Sequence, residues 1–155
     1  MLIRRAKVSD AKDIIKFNKE TIRKVNSRDY PREVIRAWAK ALKVSHLKKR
    51  IEEGSRITFV ASEKGRAVGF IGINPETKRI QALYVDHNYI GKGIGKKLLL
   101  KGENQLRSLG VKTSVIHCSI TGIPFYESQG YKKIKWSHTE LGGIKIKDLI
   151  MEKEI

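Results

Sequence analysis

Hydrophobic positions in the first part of the chain predict a short strand followed by helices. Residues 2–6 form a brief alternating pattern, which indicates a first strand. Ser9 or Asp10 then offers an N-cap for a helix that we expect to end near Asn26. Pro31 suits the first turn of a second helix, because the N–H that proline lacks has no partner there.

The central part of the chain predicts an antiparallel meander. A further helical turn or two comes first, over residues 45–53, and stops at Gly54. Three segments rich in β-branched and aromatic residues then follow one another with short turns between them. These predicted strands are residues 57–62, 67–73 and 79–85.

The last part of the chain alternates between helix and strand patterns. Its first helix carries leucines on one side and ends at Gly110, whereas Gly102 inside it has no explanation at the level of sequence. A strand, a short helix and a closing pair of strands follow. The predicted segments are residues 96–110, 111–119, 121–130 and 131–155. Since no linker interrupts this order, we expect one domain over residues 1–155.

The charge of the chain narrows the class of partner. The 155 residues include 33 Lys and Arg against 16 Asp and Glu, so the net charge is +17. Such a surface favours nucleic acid, a membrane surface or a ligand that carries phosphate groups. A compositional bias, for example from a hot habitat, explains the excess equally well. With 40% hydrophobic residues the chain can still bury a core.

Other features of the composition argue against several classes of protein. No apolar run approaches the ~20 residues that cross a bilayer, and Arg4 and Arg5 stand where a signal peptide would be apolar. Cys118 is the single cysteine, and the four histidines lack the spacing of metal ligands, so we expect neither a disulfide nor a metal site. The sequence therefore predicts a cytoplasmic protein that does not associate with membranes.

A glycine-rich loop is the most informative segment. Gly91, Gly93 and Gly95 alternate with other residues between a strand pattern and a helix pattern, which lets backbone amides at a helix N-terminus bind an anion. Lys96 and Lys97 oppose the helix dipole there unless a bound anion neutralises them. The spacing fits neither a Walker A loop nor a dinucleotide-binding loop. We therefore expect a different phosphate or pyrophosphate site, the alternative being a turn without a ligand.

Two segments resemble the signatures of the GCN5-related N-acetyltransferase (GNAT) family. LYVDHNYIGKGIGKKLL resembles the coenzyme A loop of that family, and SITGIPFYESQGYKKI resembles its second signature. The matching positions are Ile90, Gly93 and Gly95 in the first, and Ser119, Gly122, Phe125, Tyr126, Gly130 and Tyr131 in the second. The resemblance covers nearly the whole chain and implies an α+β fold, a mixed α/β sandwich whose central sheet is mixed, mostly antiparallel and flanked by helices.

The resemblance implies that acetyl-CoA is the cosubstrate and lies between the strands at residues 79–85 and 111–119. A bulge in the first of these strands would free main-chain groups for the pantetheine arm, and the Val85 amide would polarise the thioester carbonyl. Ile90 and Ser119 depart from the family's usual Arg or Gln and Asn. The implied cofactor-binding residues are Leu83, Val85, Gly91, Lys92, Gly93, Ile94, Gly95, Lys96 and Ser119.

Tyr126 occupies the position of the family's general acid, which protonates the departing thiolate. The alternative is an aromatic side chain that only packs beside Phe125. The sequence does not assign the general base that takes a proton from the amine, because the strand at residues 79–85 carries no carboxylate. A chain of water molecules, His117, or His138 with its neighbour Glu140 are the candidates.

The function that the resemblance implies is transfer of an acetyl group from acetyl-CoA directly to a primary amine. Tyr30 and Trp38 are candidates for contacting this acceptor, although Trp38 fits the core stripe of its helix as well. Two alternatives stay open: a sensor that binds coenzyme A without catalysis, and an acetyltransferase associated with nucleic acid that acts on tRNA. The second is less favoured because no basic stripe interleaved with aromatic residues is present. A homodimer is possible.

Overall fold

One mixed sheet with helices on both faces organises the chain, and the computed structural model describes residues 1–155. The strands are β1 (Leu2–Arg5), β2 (Ile57–Glu63), β3 (Arg66–Asn74), β4 (Arg79–Val85), β5 (Thr113–Ser119), β6 (Lys132–Leu141) and β7 (Ile144–Glu154). The helices are α1 (Ala11–Lys24), α2 (Arg32–Ala41), α3 (Val44–Glu53), α4 (Ile94–Ser108) and α5 (Ile123–Ser128).

The strands lie in the order β1-β2-β3-β4-β5-β7-β6. Every neighbouring pair is antiparallel except β4 and β5, which are parallel. The expected α+β fold with a mixed, mostly antiparallel sheet is therefore confirmed.

Alternate side chains of the central strands pack into hydrophobic cores on opposite faces of the sheet. Phe59 and Ala61 of β2 belong to the core under α4, whereas Val60 between them belongs to the core under α1 and α3. A third cluster, centred on Trp38, joins α2 to β7. Helices α1 to α3 thus cover one face and α4 and α5 the other.

The helical segment predicted over residues 45–53 is present as α3, which begins one residue earlier and has 10 residues. The extended residues Leu42 and Lys43 separate it from α2. This break lets the two helices bury their apolar stripes in different places, Trp38 in the third cluster and Leu47 in the core under α1. Gly54 ends α3 in the left-handed conformation, as the sequence predicts.

Gly102 is explained by the close approach of α4 to the sheet. A Cβ atom at this position would clash with the Ile71 side chain of β3. Glycine in a helix costs about 1 kcal/mol relative to alanine, but here it permits the contact between α4 and the centre of the sheet.

The sheet splits between β4 and β5, and this split positions the candidate site. The two strands pair only at Ile80 and Ile116, after which they diverge. Divergence of neighbouring parallel strands leaves main-chain groups of both strands without partners. In addition, no helix of the protein is both long and apolar enough to cross a membrane.

Candidate active site

A cavity of about 510 Å³ follows the split between β4 and β5. It collects nearly all the residues that the sequence predicts for cofactor binding. Those that line it are Leu83, Val85, Gly91, Gly93, Ile94, Gly95, Lys96 and Ser119, together with the predicted acid Tyr126. Lys92 is the exception, since it does not line the cavity and its ammonium lies 4.9 Å from the centre of the Tyr89 ring.

The glycine loop presents free amides at one end of this cavity. None of the backbone N–H groups from Gly91 to Lys96 donates a hydrogen bond within the protein, and the first helical bond of α4 runs from Lys97 N to Gly93 O. Unpaired amides at a helix N-terminus bind anions, and the helix dipole adds to the attraction. The loop therefore has the donors that a diphosphate requires.

The glycines of the loop have different physical roles. Gly91 and Gly93 have φ angles of 85° and 80°, a conformation that other residues rarely adopt. Gly95 lies in the first turn of α4, where a Cβ atom would be 3.3 Å from the Phe125 ring. Two of the glycines thus shape the turn, and the third admits an aromatic side chain of α5.

Main-chain groups of Leu83 and Val85 point into the split. Asp86 N donates to Val68 O, so the alternation of an antiparallel ladder directs the groups of Leu83 and Val85 away from β3. The Val85 carbonyl accepts a bond from Thr21 Oγ1 at 3.0 Å. The expected bulge lies earlier than these two residues, because Ile80 and Ala82 pair with consecutive residues of β3 and leave Gln81 as the extra residue.

Ser119 closes the cavity at the end of β5. Its hydroxyl oxygen accepts hydrogen bonds from Gly122 N at 3.2 Å and Asn26 Nδ2 at 3.5 Å. The hydroxyl hydrogen keeps the capacity to donate to a ligand.

Tyr126 is both packed and exposed to the cavity. Its ring makes edge contacts with Phe125 and Tyr131, and its hydroxyl forms no hydrogen bond within the protein. Burial raises the pKa of Tyr126 well above its usual value, with further contributions from Cys118 and Tyr131. The phenol is therefore protonated at physiological pH and can donate a hydrogen bond, but it is a weaker acid than a tyrosine in water.

A second cavity, of about 750 Å³, lies on the α1–α3 face and meets the first at the split. The residues that line both cavities are Ile80, Gln81, Ala82, Tyr84, His117 and Ser119. The second cavity is lined by residues of α1 to α3 and of the β6–β7 hairpin. It is also lined by residues of β4 and β5, the two strands that border the first cavity. A molecule bound there can approach a ligand in the first cavity.

His117 lies at this meeting point and has a carboxylate partner. Its Nδ1 is 3.3 Å from Oδ2 of Asp148, a buried residue of β7. The same Oδ2 accepts a hydrogen bond from Thr139 Oγ1. The contact places a carboxylate beside one ring nitrogen of His117 and leaves Nε2, the other nitrogen, without a protein partner.

The other candidates lie elsewhere or have committed polar groups. His138 and Glu140 are exposed on β6 and line neither cavity. Tyr30 and Trp38 line the second cavity, but the Tyr30 hydroxyl donates to Lys147 O at 2.6 Å and accepts from Ile120 N at 2.9 Å. Trp38 packs edge-on against Tyr30 and is buried. These two aromatic residues form a wall of the cavity.

Cys118 is buried on the opposite face from His117. Burial and the nearby Asp148 raise the pKa of its thiol to about 12, so the thiol is protonated at physiological pH. Its Sγ donates to Ser119 O at 3.0 Å. These features do not fit a nucleophile.

Three residues of the site were not predicted from the sequence. Asp148 is one, because its contact with His117 joins strands far apart in the chain. Tyr84 is another, since it lines both cavities with a hydroxyl that forms no hydrogen bond within the protein. Arg56 is the third and lines the second cavity. For Asp148 the sequence offers one signal, because it follows Ile144 and Ile146 at a position where the alternation of β7 predicts an apolar side chain.

No group of three or more His, Cys, Asp or Glu side chains lies close enough together to hold a metal ion.

Comparison with known proteins places this architecture in a family. A family model described as an acetyltransferase (GNAT) domain matches residues 26–154. A curated relative, YafP of Escherichia coli (strain K12), is described as an uncharacterized N-acetyltransferase. It is 29% identical over 120 residues, which cover 76% of this chain and 71% of YafP.

Solved structures share the fold over almost the whole chain. A GCN5-related N-acetyltransferase from Rhodopseudomonas palustris superposes with a TM-score of 0.88 at 22% identity, covering 99% of this chain and 95% of that one. The PaiA N-acetyltransferase from Thermoplasma acidophilum, solved in complex with coenzyme A, gives a TM-score of 0.83 at 24% identity, with 99% and 98% covered. The fold and the family model agree, and the chain belongs to the GNAT family of N-acetyltransferases.

Proposed function

We propose that this acetyltransferase moves the acetyl group of acetyl-CoA directly to a primary amine. The observation that carries the proposal is the meeting of two cavities at the split, one ending in the free amides of Gly91 to Lys96 and the other reaching His117. A cosubstrate and an acceptor can enter from opposite faces of the sheet and touch between β4 and β5.

The residues of the first cavity fit coenzyme A. Amides of the glycine loop would bind its pyrophosphate, and Lys96 would add a positive charge. Main-chain groups of Leu83 and Val85 and the Ser119 hydroxyl would pair with the pantetheine arm. The complex of the PaiA relative with coenzyme A supports this use of the fold. Acetyl-CoA, when bound, supplies the acetyl group as a reactive thioester.

Three groups of the chain would assist the transfer. The Val85 amide stabilises negative charge on the carbonyl oxygen, a contribution worth about 3 kcal/mol in comparable sites. His117 accepts a proton from the attacking amine at Nε2, and Asp148 stabilises the resulting imidazolium. Tyr126 donates a hydrogen bond to the departing sulfur, whose proton comes finally from solvent. The amine nitrogen thus forms a bond to the acetyl carbon as the bond from that carbon to sulfur breaks.

The first test measures binding of coenzyme A by calorimetry in two matched variants. Gly93→Asp places a carboxylate among the loop amides, whereas Gly54→Asp makes the same change at another left-handed glycine with open surroundings, at the end of α3. We expect Gly93→Asp to lose at least about tenfold in affinity through charge repulsion and lost amide geometry. Gly54→Asp should bind as the unaltered protein does. Equal affinity in both variants would overturn the loop assignment.

The second test is release of free thiol from acetyl-CoA in the presence of a panel of amines. Direct transfer predicts thiol release that depends on the amine and saturates with it. Binding of coenzyme A without release for any amine would favour the sensor. Binding that falls steeply with salt and requires tRNA would favour the enzyme associated with nucleic acid.

Two further expectations from the sequence remain predictions, a cytoplasmic location and a homodimer. The exposed apolar side chains of Ile134 and Trp136 on the edge strand β6 are the surface most suited to self-association. Sedimentation analysis of the purified protein measures the oligomeric state directly.

A further inference from the structure

The wall of the second cavity is strongly basic. Its lining includes Lys43, His46, Arg50, Arg56 and Arg79, in addition to His117. Asp148 is the only acidic residue in the lining, and its Oδ2 is occupied by His117 and Thr139. A cavity with this balance of charge attracts an anionic group and repels a second cationic one.

Arg56 is the basic residue that the fold holds most firmly. It is partly buried, and its stem crosses Gly72 of β3, where a Cβ atom would lie 2.7 Å from Arg56 Cδ. Its Nε and Nη2 both donate to Gln81 Oε1 at 3.3 Å. The glycine and the glutamine therefore fix the guanidinium against the bulge of β4.

The charge of Arg56 has no partner within the protein. No carboxylate lies within 4 Å of it, and its only polar contact is the neutral Gln81 amide. Burial and the nearby Arg50 lower the pKa of Arg56 to about 10, so the side chain is still charged at neutral pH. A partly buried charge without a counter-ion is costly, and a bound anion would offset that cost.

The position of Arg56 relates it to the reacting end of the site. Strands β4 and β5 pair at Ile80 and Ile116, so the next residues, Gln81 and His117, lie on the two sides of the split. Arg56 binds the first and Asp148 the second. Arg56, Gln81 and His117 all line the second cavity, so a molecule bound there can contact both Arg56 and His117.

We propose that the acceptor amine also carries a carboxylate or phosphate group, and that Arg56 binds this group with Arg50 and Arg79 beside it. This inference rests on the proposed acetyl transfer to an amine and adds the class of acceptor. The planar guanidinium suits both anions, since each accepts two parallel hydrogen bonds.

The test compares amines that differ only in the group at the far end. Alkylamines, amino-terminated carboxylates, aminoalkyl phosphates and diamines are each offered on short methylene linkers of several lengths, and kcat/KM is measured from thiol release. We expect anionic amines to exceed the neutral ones by about tenfold to a hundredfold, the range for a hydrogen bond to a charged group. Diamines should be the poorest acceptors. Whichever anionic series has the higher kcat/KM, the carboxylates or the phosphates, identifies the anionic group that the acceptor carries.

Variants then connect the preference to Arg56. Arg56→Gln should reduce the ratio of anionic to neutral kcat/KM to near one, and Arg56→Lys should keep part of it because the charge remains. Arg66→Gln removes the same charge from an exposed position of β3 outside the cavity and should leave the ratio unchanged.

Three results would overturn the assignment of an anionic acceptor. They are neutral or cationic amines reacting as well as anionic ones, an unchanged ratio in Arg56→Gln, and no reaction of any anionic amine by protein that acetylates neutral amines. Failure of the unaltered protein to bind coenzyme A, or to release thiol with any amine at all, is a different outcome, because it would contradict the proposed acetyl transfer itself.

Discussion

Asp148 is the buried residue that connects the polar side chains of the candidate site. It is buried on β7, and its Oδ2 contacts both His117 of β5 and Thr139 of β6. The three side chains thus lie across three neighbouring strands on one face of the sheet. The contact thus places a buried carboxylate beside the imidazole at the split, where it would stabilise a protonated ring.

If His117 is the base, its replacement should slow the reaction far more than replacement of any other histidine. We expect His117→Gln to lower kcat by about 10² to 10⁴, the usual contribution of general-base catalysis. His138→Gln changes an exposed histidine outside both cavities and should retain kcat. Steady-state kinetics with a reactive amine measures both. Equal kcat values for the two variants would leave a chain of water molecules as the base.

Among the secondary-structure elements, the connection between β1 and α1 depends on the carboxylate of Asp10. Asp10 ends the short 3₁₀ turn before α1 and accepts bonds from Arg4 Nη1 at 2.8 Å, Arg4 Nη2 at 2.9 Å and Lys7 N at 2.7 Å. Burial alone would raise the pKa of Asp10, but the bonds from Arg4 and Lys7 together lower it below its usual value of 3.8. The ionised form therefore stabilises the fold.

Asp10→Asn should destabilise the protein in a way that depends on pH. At neutral pH we expect a loss of about 1.5 to 3 kcal/mol, the range for hydrogen bonds to a charged group. Since the folded-state pKa is lowered, the contribution is present above the unfolded-state value and is lost as pH falls through the folded-state pKa. The difference from the unaltered protein should therefore shrink below about pH 3.8.

Denaturant unfolding over a range of pH measures this difference in the free energy of unfolding. Asp29→Asn, an exposed aspartate without an ion pair, is the control and should show a much smaller change. A loss that stays constant down to acid pH would contradict the role of the Asp10 charge.

The net charge of +17 acts at the scale of the whole molecule. Both proposed ligands are anionic, one through a diphosphate and the other through a carboxylate or phosphate, so the field of the protein attracts both. In the proposed function, the unpaired amides of the glycine loop and the charge of Arg56 would then bind ligands that this field has concentrated.

Salt should therefore weaken binding of coenzyme A but not of its uncharged part. Between ~0.05 and ~0.5 M salt we expect affinity for coenzyme A to fall at least about threefold, because the Debye length drops well below 10 Å. Pantetheine, which has no phosphate groups, is the control ligand and should bind with nearly constant affinity. Calorimetry compares the two. A parallel loss for both ligands would show that the charge does not act through the phosphates.

The elements with strong local signals were predictable. Alternating glycines and the adjoining helix pattern marked the loop at residues 91–96, because left-handed turns and free amides are properties of short segments. The three strands of the meander and the positions of Gly54 and Gly110 follow from equally local patterns. The position of the bulge in β4 differed, since pairing with β3 decides where the extra residue falls.

Contacts between distant segments could not be predicted from the sequence. The reason for Gly102 appears only when α4 lies against Ile71, and the partner of His117 only when β7 pairs with β5. Arg56 is one of many basic residues until the fold places it over Gly72 and beside Gln81.

The sequence by itself determined the order of the elements, the glycine-rich loop at residues 91–96 and the resemblance to a family, all of which depend on residues close together in the chain. The tertiary structure decided which polar groups share the split, because β4, β5 and β7 bring together residues separated by long stretches of chain. Local periodicity carries no information about those pairings, and it is the pairings that join the two cavities at His117.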